Sequence, residues 1–308
     1  MTVPGPGSVD EVRRSLDDHD YLADEGLSTA VFLALRLPRP LFLEGDPGVG
    51  KTEVAKVLAR WTGGELLRLQ CYEGIDVSQA LYEWDYAKQL LHLRVAEAAG
   101  ELTEGSAAVE ESLYSERFLL RRPLLRALDR PAGSARPVLL IDELDRADDE
   151  FEAFLLEVLA ESSVTIPELG TVTAPEAPVV VITSNRTRDV HDALKRRCLY
   201  HWVDHPDFER EVAIVRRRVP HAAEELARQV AAAVAGLRDQ GLYKPPGVAE
   251  TIDWVAALDL LGRRTLDDAS VDATLGSVLK HREDVERVRS LDVGELVRGA
   301  LARTKGPP

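Results

Sequence analysis

The amino-acid sequence predicts an α/β domain followed by an all-helical domain. Strand-like apolar runs alternate with helical patterns through the amino-terminal part of the chain, and only helical patterns follow Asp207. The length of 308 residues suits two domains, because single domains commonly hold about 150 residues. We expect the α/β domain over residues 1–205, the helical domain over 206–302 and a frayed tail over 303–308.

Three short apolar runs predict buried strands in the first domain. They cover residues 41–43, 138–141 and 179–183, and each is continuously hydrophobic, as in parallel strands that are covered on both faces. Helical patterns cover residues 51–61, 121–130 and 149–160, where apolar residues recur at helical spacing. Right-handed crossovers between such strands give a parallel central sheet with helices packed on it.

Two segments interrupt this alternation, and two breaks divide the helical domain. Residues 72–115 are helical and polar in pattern and predict an insertion, whereas residues 163–173 predict a β-hairpin around a short turn. In the second domain, helical patterns cover residues 208–218, 222–237, 248–261 and 271–288. Pro220 and the Pro/Gly break at residues 244–247 separate them.

The composition argues against several classes of protein. The chain has 38 basic and 53 acidic residues, a formal charge of −15. A field of that sign repels nucleic acid, so we expect no non-specific nucleic-acid binding. Cys71 and Cys198 lie far apart, which predicts neither a disulfide framework nor a cysteine zinc site and fits a reducing cytoplasm. The most apolar stretch, residues 30–43, contains charges and prolines and falls short of the roughly 20 residues of a membrane helix.

A glycine-rich segment follows the first predicted strand and opens a helix. It fits the pattern G-x-x-x-x-G-K-[ST], and its residues are Gly45, Asp46, Pro47, Gly48, Val49, Gly50, Lys51 and Thr52, with Glu53 next in the helix. In this motif backbone N–H groups wrap the β-phosphate of a nucleotide, and the lysine contacts the β- and γ-phosphates. We therefore expect ATP to be held here, with Thr52 as a ligand of Mg²⁺. The alternative is a chance glycine-rich turn with a solvated lysine.

Two acids follow the second apolar run. A buried strand over residues 138–141 delivers Asp142 to its carboxyl end, where it can hold the metal through water. Glu143 follows at once, and a carboxylate beside the metal-binding aspartate can polarise a water for attack on the γ-phosphate. This favours hydrolysis over phosphoryl transfer. The alternative is that the acids cap the next helix, for which Asp145, Asp148 and Asp149 are better placed.

Asn185 follows the third apolar run. A strand over residues 179–183 brings it level with the ends of the other strands, where it can bridge the attacking water and the γ-phosphate. Asparagine at the end of a strand is ordinarily a turn former. Both interpretations are open from these residues alone.

The order of these motifs resembles that of an AAA+ ATPase. Residues 45–52, Asp142 with Glu143, Asn185 and the basic residues 195–197 correspond to Walker A, Walker B, sensor 1 and an arginine finger. The chain is most similar to the MoxR family. Within it, residues 40–56, 71–74, 82–84 and 244–246 resemble the branch encoded beside molybdenum-containing carbon monoxide dehydrogenases.

The resemblance implies the AAA+ strand order, a helical lid and a ring that is usually a hexamer. Arg197 matches the finger position, and Arg196 is the nearby alternative. An arginine after the sensor strand does not reach its own nucleotide comfortably, so it completes the neighbour's site by stabilising transition-state charge. The alternative is a solvated basic cluster. The resemblance also implies that the segment around Tyr21 holds the adenine, although an amphipathic helix on the sheet is the simpler interpretation.

The resemblance further implies the partners and the kind of work done. It leads us to expect a chaperone-like ATPase that remodels or matures a client protein, such as a metalloenzyme. It also leads us to expect a partner protein that contains a von Willebrand factor A domain. Two interpretations of the insertion and the hairpin are open. They contact the client, or they cover the sheet. Residues 244–249 lack the arginine that serves related lids as sensor 2, and Lys244 is the candidate substitute. We interpret His201 and His205 as structural or surface histidines. The rival functions are a nucleic-acid motor and a slow, nucleotide-gated assembly switch.

Overall fold

The computed structural model describes residues 5–98, 112–131, 133–291 and 293–304. By its tertiary contacts the chain divides into two compact units. The first unit comprises Met1–Ser15, Asp24–Glu44 and Val54–His201, and the second comprises Leu16–Ala23, Gly45–Glu53 and Trp202–Pro308. The domain boundaries expected from the sequence stay predictions.

The first unit is built on a five-stranded sheet. In chain order the strands of the protein are β1 (Leu41–Glu44), β2 (Leu66–Gln70), β3 (Tyr82–Trp84), β4 (Leu119–Arg121), β5 (Val138–Asp142), β6 (Ser163–Ile166), β7 (Gly170–Thr173), β8 (Val179–Ser184) and β9 (Leu199–Trp202). The spatial order of the central sheet is β2-β5-β8-β1-β9, and β2 with β5, β5 with β8 and β8 with β1 pair in parallel. The predicted α/β fold with a parallel central sheet is therefore confirmed.

The three predicted strands are the most deeply buried ones. Every residue of β1, β5 and β8 is buried, as expected of apolar strands in the middle of a parallel sheet. Strand β2 lies at the edge and shows alternating burial, with Arg68 exposed in its middle. The sequence did not predict β2, because its polar residues interrupt the apolar run.

Helices connect and cover the strands. In chain order they are α1 (Val9–Asp18), α2 (Glu25–Arg36), α3 (Lys51–Thr62), α4 (Val77–Ala80), α5 (Tyr86–Ala98), α6 (Pro123–Leu128), α7 (Asp149–Glu161), α8 (Asp192–Lys195), α9 (Phe208–Arg218), α10 (Glu224–Arg238), α11 (Val248–Leu260), α12 (Asp268–Val278), α13 (Arg282–Ser290) and α14 (Val293–Thr304). In the first unit, Leu125 of α6 and Leu155 of α7 join Leu139 and Ile141 of β5 in one buried cluster. Full burial of each such side chain contributes about 1.5–3 kcal/mol. In the described part of the chain, no helix is long and apolar enough to cross a membrane.

The insertion expected over residues 72–115 differs from the helical prediction. It contains α4 and α5, but β3 lies between them and pairs antiparallel with β4, Tyr82 opposite Arg121 and Trp84 opposite Leu119. The helical prediction is wrong for β3 because its partner strand lies far along the chain. Residues 99–111 of the predicted insertion lie outside the described residues. The helix expected over 121–130 begins at Pro123, since proline is favoured in the first turn.

The predicted hairpin segment forms β6 and β7. They pair antiparallel from Ser163 opposite Thr173 to Ile166 opposite Gly170. Gly170 has a φ of +87°, a conformation that glycine adopts without steric cost. The hairpin follows α7, which Asp148 caps by accepting the Phe151 N–H at 2.9 Å.

The second unit contains helices α9–α14. Trp254 of α11 is fully buried, and its indole N–H donates to Thr274 Oγ1 of α12 at 2.7 Å. The single helix expected over residues 271–288 is wrong: α12 ends at Val278, and α13 begins at Arg282. The last helix, α14, ends at Thr304, and the tail expected over residues 303–308 stays a prediction. Residues 305–308 lie outside the described residues.

Candidate functional site

The glycine-rich segment of the second unit has the backbone of a tight loop that ends in a helix. Gly48 and Gly50 have φ values of +80° and +96°. A Cβ on Gly45 would lie 2.3 Å from the carbonyl oxygen of Val203, so this position admits only glycine. The buried Lys51 begins α3, and its Nζ donates to the carbonyl oxygens of Gly45 and Asp46 at 2.7 Å each. The loop and the N-terminus of α3 form a backbone suited to bind phosphate.

Tyr21 packs beside this loop in the second unit. A Cβ built on Gly50 would lie 3.8 Å from Cε2 of its ring. The neighbouring Leu22 accepts two hydrogen bonds from the Arg210 guanidinium through its carbonyl oxygen, at 2.9 Å from Nε and 2.6 Å from Nη2. These bonds fix the segment that carries Tyr21. The structure thus places Tyr21 against the predicted phosphate loop, and its contact with adenine stays a prediction.

Asp46 of the loop and Glu53 of α3 lie close to nitrogen atoms of side chains in the second unit. Asp46 Oδ2 lies 3.3 Å from Nε2 of His205, and Glu53 Oε1 lies 3.7 Å from Nη1 of Arg218. Burial, followed by the charge of Arg238, lowers the pKa of His205, although Asp46 acts in the opposite sense. The neutral form of His205 is therefore favoured more than in a free histidine.

The stretch in which sensor 2 was expected contacts the loop through its backbone. The Ala249 N–H donates to the carbonyl oxygen of Gly48 at 3.2 Å. A Cβ on Gly247 would lie 2.7 Å from the carbonyl oxygen of Pro47. The Lys244 side chain is exposed, while its backbone N–H donates to Asp284. In this unit, the backbone at the start of α11 therefore contacts the backbone of the loop directly. The absence of a side chain at Gly247 permits this close contact.

In the first unit, Asp142 ends β5 with its side chain almost fully buried. Its Oδ1 accepts the Thr183 hydroxyl at 2.6 Å, and its Oδ2 accepts from the Arg68 guanidinium at 2.6 Å and 3.0 Å. Arg68 lies on β2, which pairs with β5, so the contact follows from the sheet order. Sequence reasoning missed both partners. A threonine in an otherwise apolar strand was the available signal for Thr183.

Glu143 adopts a left-handed backbone conformation, with φ of 55° and ψ of 49°. Its N–H donates to Thr183 Oγ1 at 3.0 Å, and its Oε2 lies 2.9 Å from Arg146 Nε. Non-glycine residues seldom adopt this conformation, and such residues concentrate at functional sites. Thr183 therefore fixes the backbone of Glu143 and the side chain of Asp142 through one hydroxyl.

Asn185 follows β8 directly and belongs to a loop organised by Asp145. The buried carboxylate of Asp145 accepts the N–H of Asn185 at 3.2 Å and the N–H and hydroxyl of Thr187 at 2.9 Å and 2.6 Å. The sequence named Asp145, Asp148 and Asp149 as better placed than Asp142 and Glu143 to cap α7. Of these three, Asp148 is the N-cap, whereas Asp145 binds the loop after β8, and Asp149 lies inside the helix and accepts from Arg188.

Arg196 and Arg197 are exposed on the first unit. Their carbonyl oxygens accept hydrogen bonds from Arg39 at 2.8 Å and 3.1 Å, and Arg197 Nη1 donates to the carbonyl oxygen of Leu156 at 3.0 Å. The Arg196 guanidinium makes no hydrogen bond or ion pair with another residue that the structure describes. A groove of about 330 Å³ is lined by both arginines, Arg39 and apolar residues of α7. Arg197 is thus held within its own chain, and Arg196 is the less constrained of the two.

A buried carboxylate immediately before the glycine-rich segment was also missed. Glu44 ends β1, and its Oε2 accepts the Tyr200 hydroxyl at 3.0 Å while its Oε1 lies 3.2 Å from Lys195 Nζ. Burial, followed by this carboxylate, raises the pKa of Tyr200. Lys195 directly precedes the arginine pair, so the cluster anchors the start of that segment.

The donor atoms expected to hold Mg²⁺ fit that ion chemically. Thr52 in the second unit offers a hydroxyl oxygen, and Asp142 in the first unit offers carboxylate oxygens, the hard ligands that Mg²⁺ prefers. Both oxygens of Asp142 already accept hydrogen bonds. A contact through water therefore suits Asp142 better than direct coordination, and Mg²⁺ commonly retains several waters.

Comparison with known proteins gives a family match and several partial likenesses. A model described as the AAA domain (dynein-related subfamily) matches residues 40–198, more than half of the chain. A stretch of 48 residues is 46% identical to Midasin from Giardia intestinalis and makes up 16% of this chain and 1% of Midasin. A point mutant of RuvB from Thermotoga maritima is 18% identical, with a TM-score of 0.48 over 88% of this chain and 72% of RuvB. A Cytophaga hutchinsonii protein provisionally named an ATPase is 13% identical, with a TM-score of 0.45 over 96% of this chain and 95% of that protein.

Proposed function

This chain belongs to the AAA domain family, dynein-related subfamily, and on that premise we propose that it is a ring-forming ATPase of the MoxR type. In this proposal it hydrolyses ATP in the cytoplasm to remodel or mature a client protein. Membership of the family supports nucleotide binding and ATP hydrolysis in general terms. The ring, the client and the MoxR assignment are proposals supported by the sequence resemblance.

The observation that carries hydrolysis is the arrangement of Asp142, Glu143 and Thr183. One buried hydroxyl fixes the side chain of Asp142 and the backbone of Glu143, which adopts a left-handed conformation. A carboxylate fixed beside the metal-binding aspartate can take up a proton from an attacking water. Such a fixed acid suits hydrolysis better than transfer to a second substrate.

The other predicted residues bind and orient the nucleotide. The backbone N–H groups of residues 45–52 hold phosphate oxygens, and Lys51 adds a positive charge. Asn185 orients the water and the γ-phosphate, and Tyr21 packs against adenine. Thr52 and Asp142 would hold Mg²⁺, which would supply positive charge to offset that of the phosphates.

The exposed arginine pair supports action between subunits. Arg196 and Arg197 are exposed on the first unit, and an arginine that stabilises transition-state charge in a neighbouring copy has to be exposed. We expect a hexamer, as the resemblance implies. Because the finger comes from a second copy, specific activity should rise with protein concentration as rings form.

The exposed apolar side chains of helix α5 support the proposal that this helix contacts a client. It buries Gln89, whose Nε2 donates to the carbonyl oxygen of Leu113 at 2.6 Å, and it exposes the larger apolar side chains. Tyr86, Leu90, Leu91 and Val95 are between 57% and 66% exposed. Exposed apolar groups of this kind mark contact surfaces. The client as a metalloenzyme and a von Willebrand factor A domain partner rest on the resemblance.

The test compares Glu143→Gln with Lys51→Ala. The first variant should bind ATP as the wild type does and lose at least about 100-fold in turnover, because an amide cannot accept the proton. The second should lose nucleotide binding. Glu150→Gln, at an exposed position on α7, is the matched control and should keep full activity.

Three outcomes would contradict parts of the proposal. Unchanged turnover in Glu143→Gln removes that residue as the activating carboxylate. Equal specific activity in dilute monomers and assembled protein, unaltered by loss of Arg196 and Arg197, removes the finger between subunits. Stimulation by DNA at moderate salt supports a nucleic-acid motor, which the charge of −15 disfavours. ATP-dependent capture of a folded client by Glu143→Gln supports remodelling.

A further inference from the structure

We propose that Asp145 is a positioning residue for ATP hydrolysis, whose buried carboxylate fixes the loop that carries Asn185. The inference rests on the proposed function and deepens it, because it concerns the same reaction. From the sequence, Asp145 was one of three aspartates named as candidates to cap α7.

The geometry supports this role through three hydrogen bonds to one carboxylate. Asp145 Oδ1 accepts the Asn185 N–H at 3.2 Å, and Oδ2 accepts the N–H and hydroxyl of Thr187 at 2.9 Å and 2.6 Å. The aspartate itself is 3% exposed. A carboxylate that accepts from two alternate backbone N–H groups sets the path of the chain between them.

The backbone conformation of Arg186, which lies between Asn185 and Thr187, shows why the loop needs these hydrogen bonds. Arg186 has a φ of +56°, and its N–H donates to Ser184 Oγ at 3.0 Å. A non-glycine residue in the left-handed region costs free energy and persists only when its surroundings hold it there. The three bonds to Asp145 hold the flanking residues, so the turn at Arg186 follows.

Asp145 and Thr183 form a reciprocal pair between two segments of the first unit. Thr183 on β8 bonds to Asp142 Oδ1 and to the N–H of Glu143. Asp145, two residues after Glu143, bonds back to the loop that follows β8. The backbone positions of Glu143 and Asn185 are therefore fixed relative to each other from both sides.

The capping of α7 does not explain Asp145. Asp148 performs that function through the Phe151 N–H at 2.9 Å. The two aspartates lie in one short segment yet contact different parts of the chain. This separation provides a matched control: Asp148→Ala weakens the helix cap while leaving the carboxylate of Asp145 in place.

The first measurement compares steady-state hydrolysis and ATP affinity in Asp145→Asn. Asparagine keeps the shape and one acceptor oxygen but loses the second acceptor, so the loop shifts by a fraction of an ångström. We expect kcat to fall about 10-fold while the Kd for ATP stays within about 2-fold, because misplacement of an orienting group acts on the chemical step. Asp148→Ala should lower the unfolding temperature and leave kcat unchanged.

The second measurement tests whether Asp145 acts through Asn185. In an Asn185→Ala background, Asp145→Asn should cause no further loss of kcat, since the amide that it positions is gone. Multiplicative losses in the double variant would overturn the inference. An unchanged kcat in Asp145→Asn alone would also overturn it.

The third measurement does not depend on activity. Hydrogen exchange of the Asn185 and Thr187 amides in nucleotide-free protein should speed up in Asp145→Ala and keep its wild-type rate in Asp148→Ala. Equal protection of these amides in both variants would overturn the placement of the loop by Asp145. A wild-type protein that hydrolyses no ATP refutes the proposed function, and with it the positioning role. Normal hydrolysis that Asn185→Ala slows and Asp145→Asn does not refutes the inference alone.

Discussion

Replacement of Thr183 by valine tests the arrangement that holds the two predicted catalytic acids. Valine has nearly the shape of threonine and lacks the hydroxyl. The hydroxyl donates to Asp142 Oδ1 at 2.6 Å and accepts the Glu143 N–H at 3.0 Å, and Thr183 is 2% exposed. The substitution therefore leaves one carboxylate oxygen and one backbone N–H without this partner.

The expected loss of stability follows from these two bonds. A hydrogen bond to a charged group contributes about 1.5–3 kcal/mol, and an unpaired buried donor costs about 1–3 kcal/mol. Arg68 still pairs with Asp142 Oδ2, so the carboxylate is not left as an uncompensated buried charge. We therefore expect the free energy of unfolding of the first unit to fall by about 2–4 kcal/mol, with a reduced kcat because Glu143 is no longer fixed.

The assay is equilibrium denaturation in urea, followed by tryptophan fluorescence, to which the buried Trp84 of the first unit and the buried Trp254 of the second both contribute. Thr183→Ser is the matched control, because it keeps the hydroxyl and loses one buried methyl group at a cost of about 1 kcal/mol. The reasoning predicts that the valine variant is the less stable of the two. A valine variant as stable as the serine variant would show that the hydroxyl does not hold these acids.

Two further predictions concern backbone approach and thiol ionisation. Gly247→Ala should weaken ATP binding at least about 10-fold in a fluorescent-nucleotide titration, because the Cβ of the new alanine would lie 2.7 Å from the Pro47 carbonyl oxygen. The control is Gly276→Ala, which should not weaken binding, because a Cβ at that position has no heavy atom within 4 Å. Burial raises the pKa of Cys71 and Cys198 to about 12, so at pH 8 both should react with Ellman's reagent only after unfolding. Their burial stabilises the fold below about pH 9, and this contribution is lost as the pH rises towards 12. Rapid reaction of the native protein would contradict this.

The sequence predicted those parts of the fold that local pattern encodes. Strands buried on both faces must be apolar at every position, so β1, β5 and β8 are visible as continuous runs. The glycine-rich segment is visible for a similar reason, because a backbone loop that ends in a helix needs glycine at fixed positions. The residues at the ends of these strands could therefore be named in advance, while their catalytic roles remain to be measured.

Features that depend on partners far along the chain were not predictable in this way. Strand β3 forms because Tyr82 and Trp84 pair with β4. The sequence around β3 does not show that this partner strand is present. The polar residues of the edge strand β2 concealed it, although one of them, Arg68, pairs with Asp142. The difference between Arg196 and Arg197 is similar, because Arg197 Nη1 donates to the carbonyl oxygen of Leu156, a partner on a distant helix.

The sequence by itself determined the chemical groups available to this protein and their order: a glycine-rich loop, two adjacent acids, an asparagine and a pair of arginines. The tertiary structure alone decided which groups hold these in place. Asp145 and Asp148 are chemically identical and lie three positions apart, yet one carries the loop of Asn185 and the other caps α7. The physical reason is that hydrogen bonding is short-ranged, so the function of a buried carboxylate is set by the donors that folding brings to it.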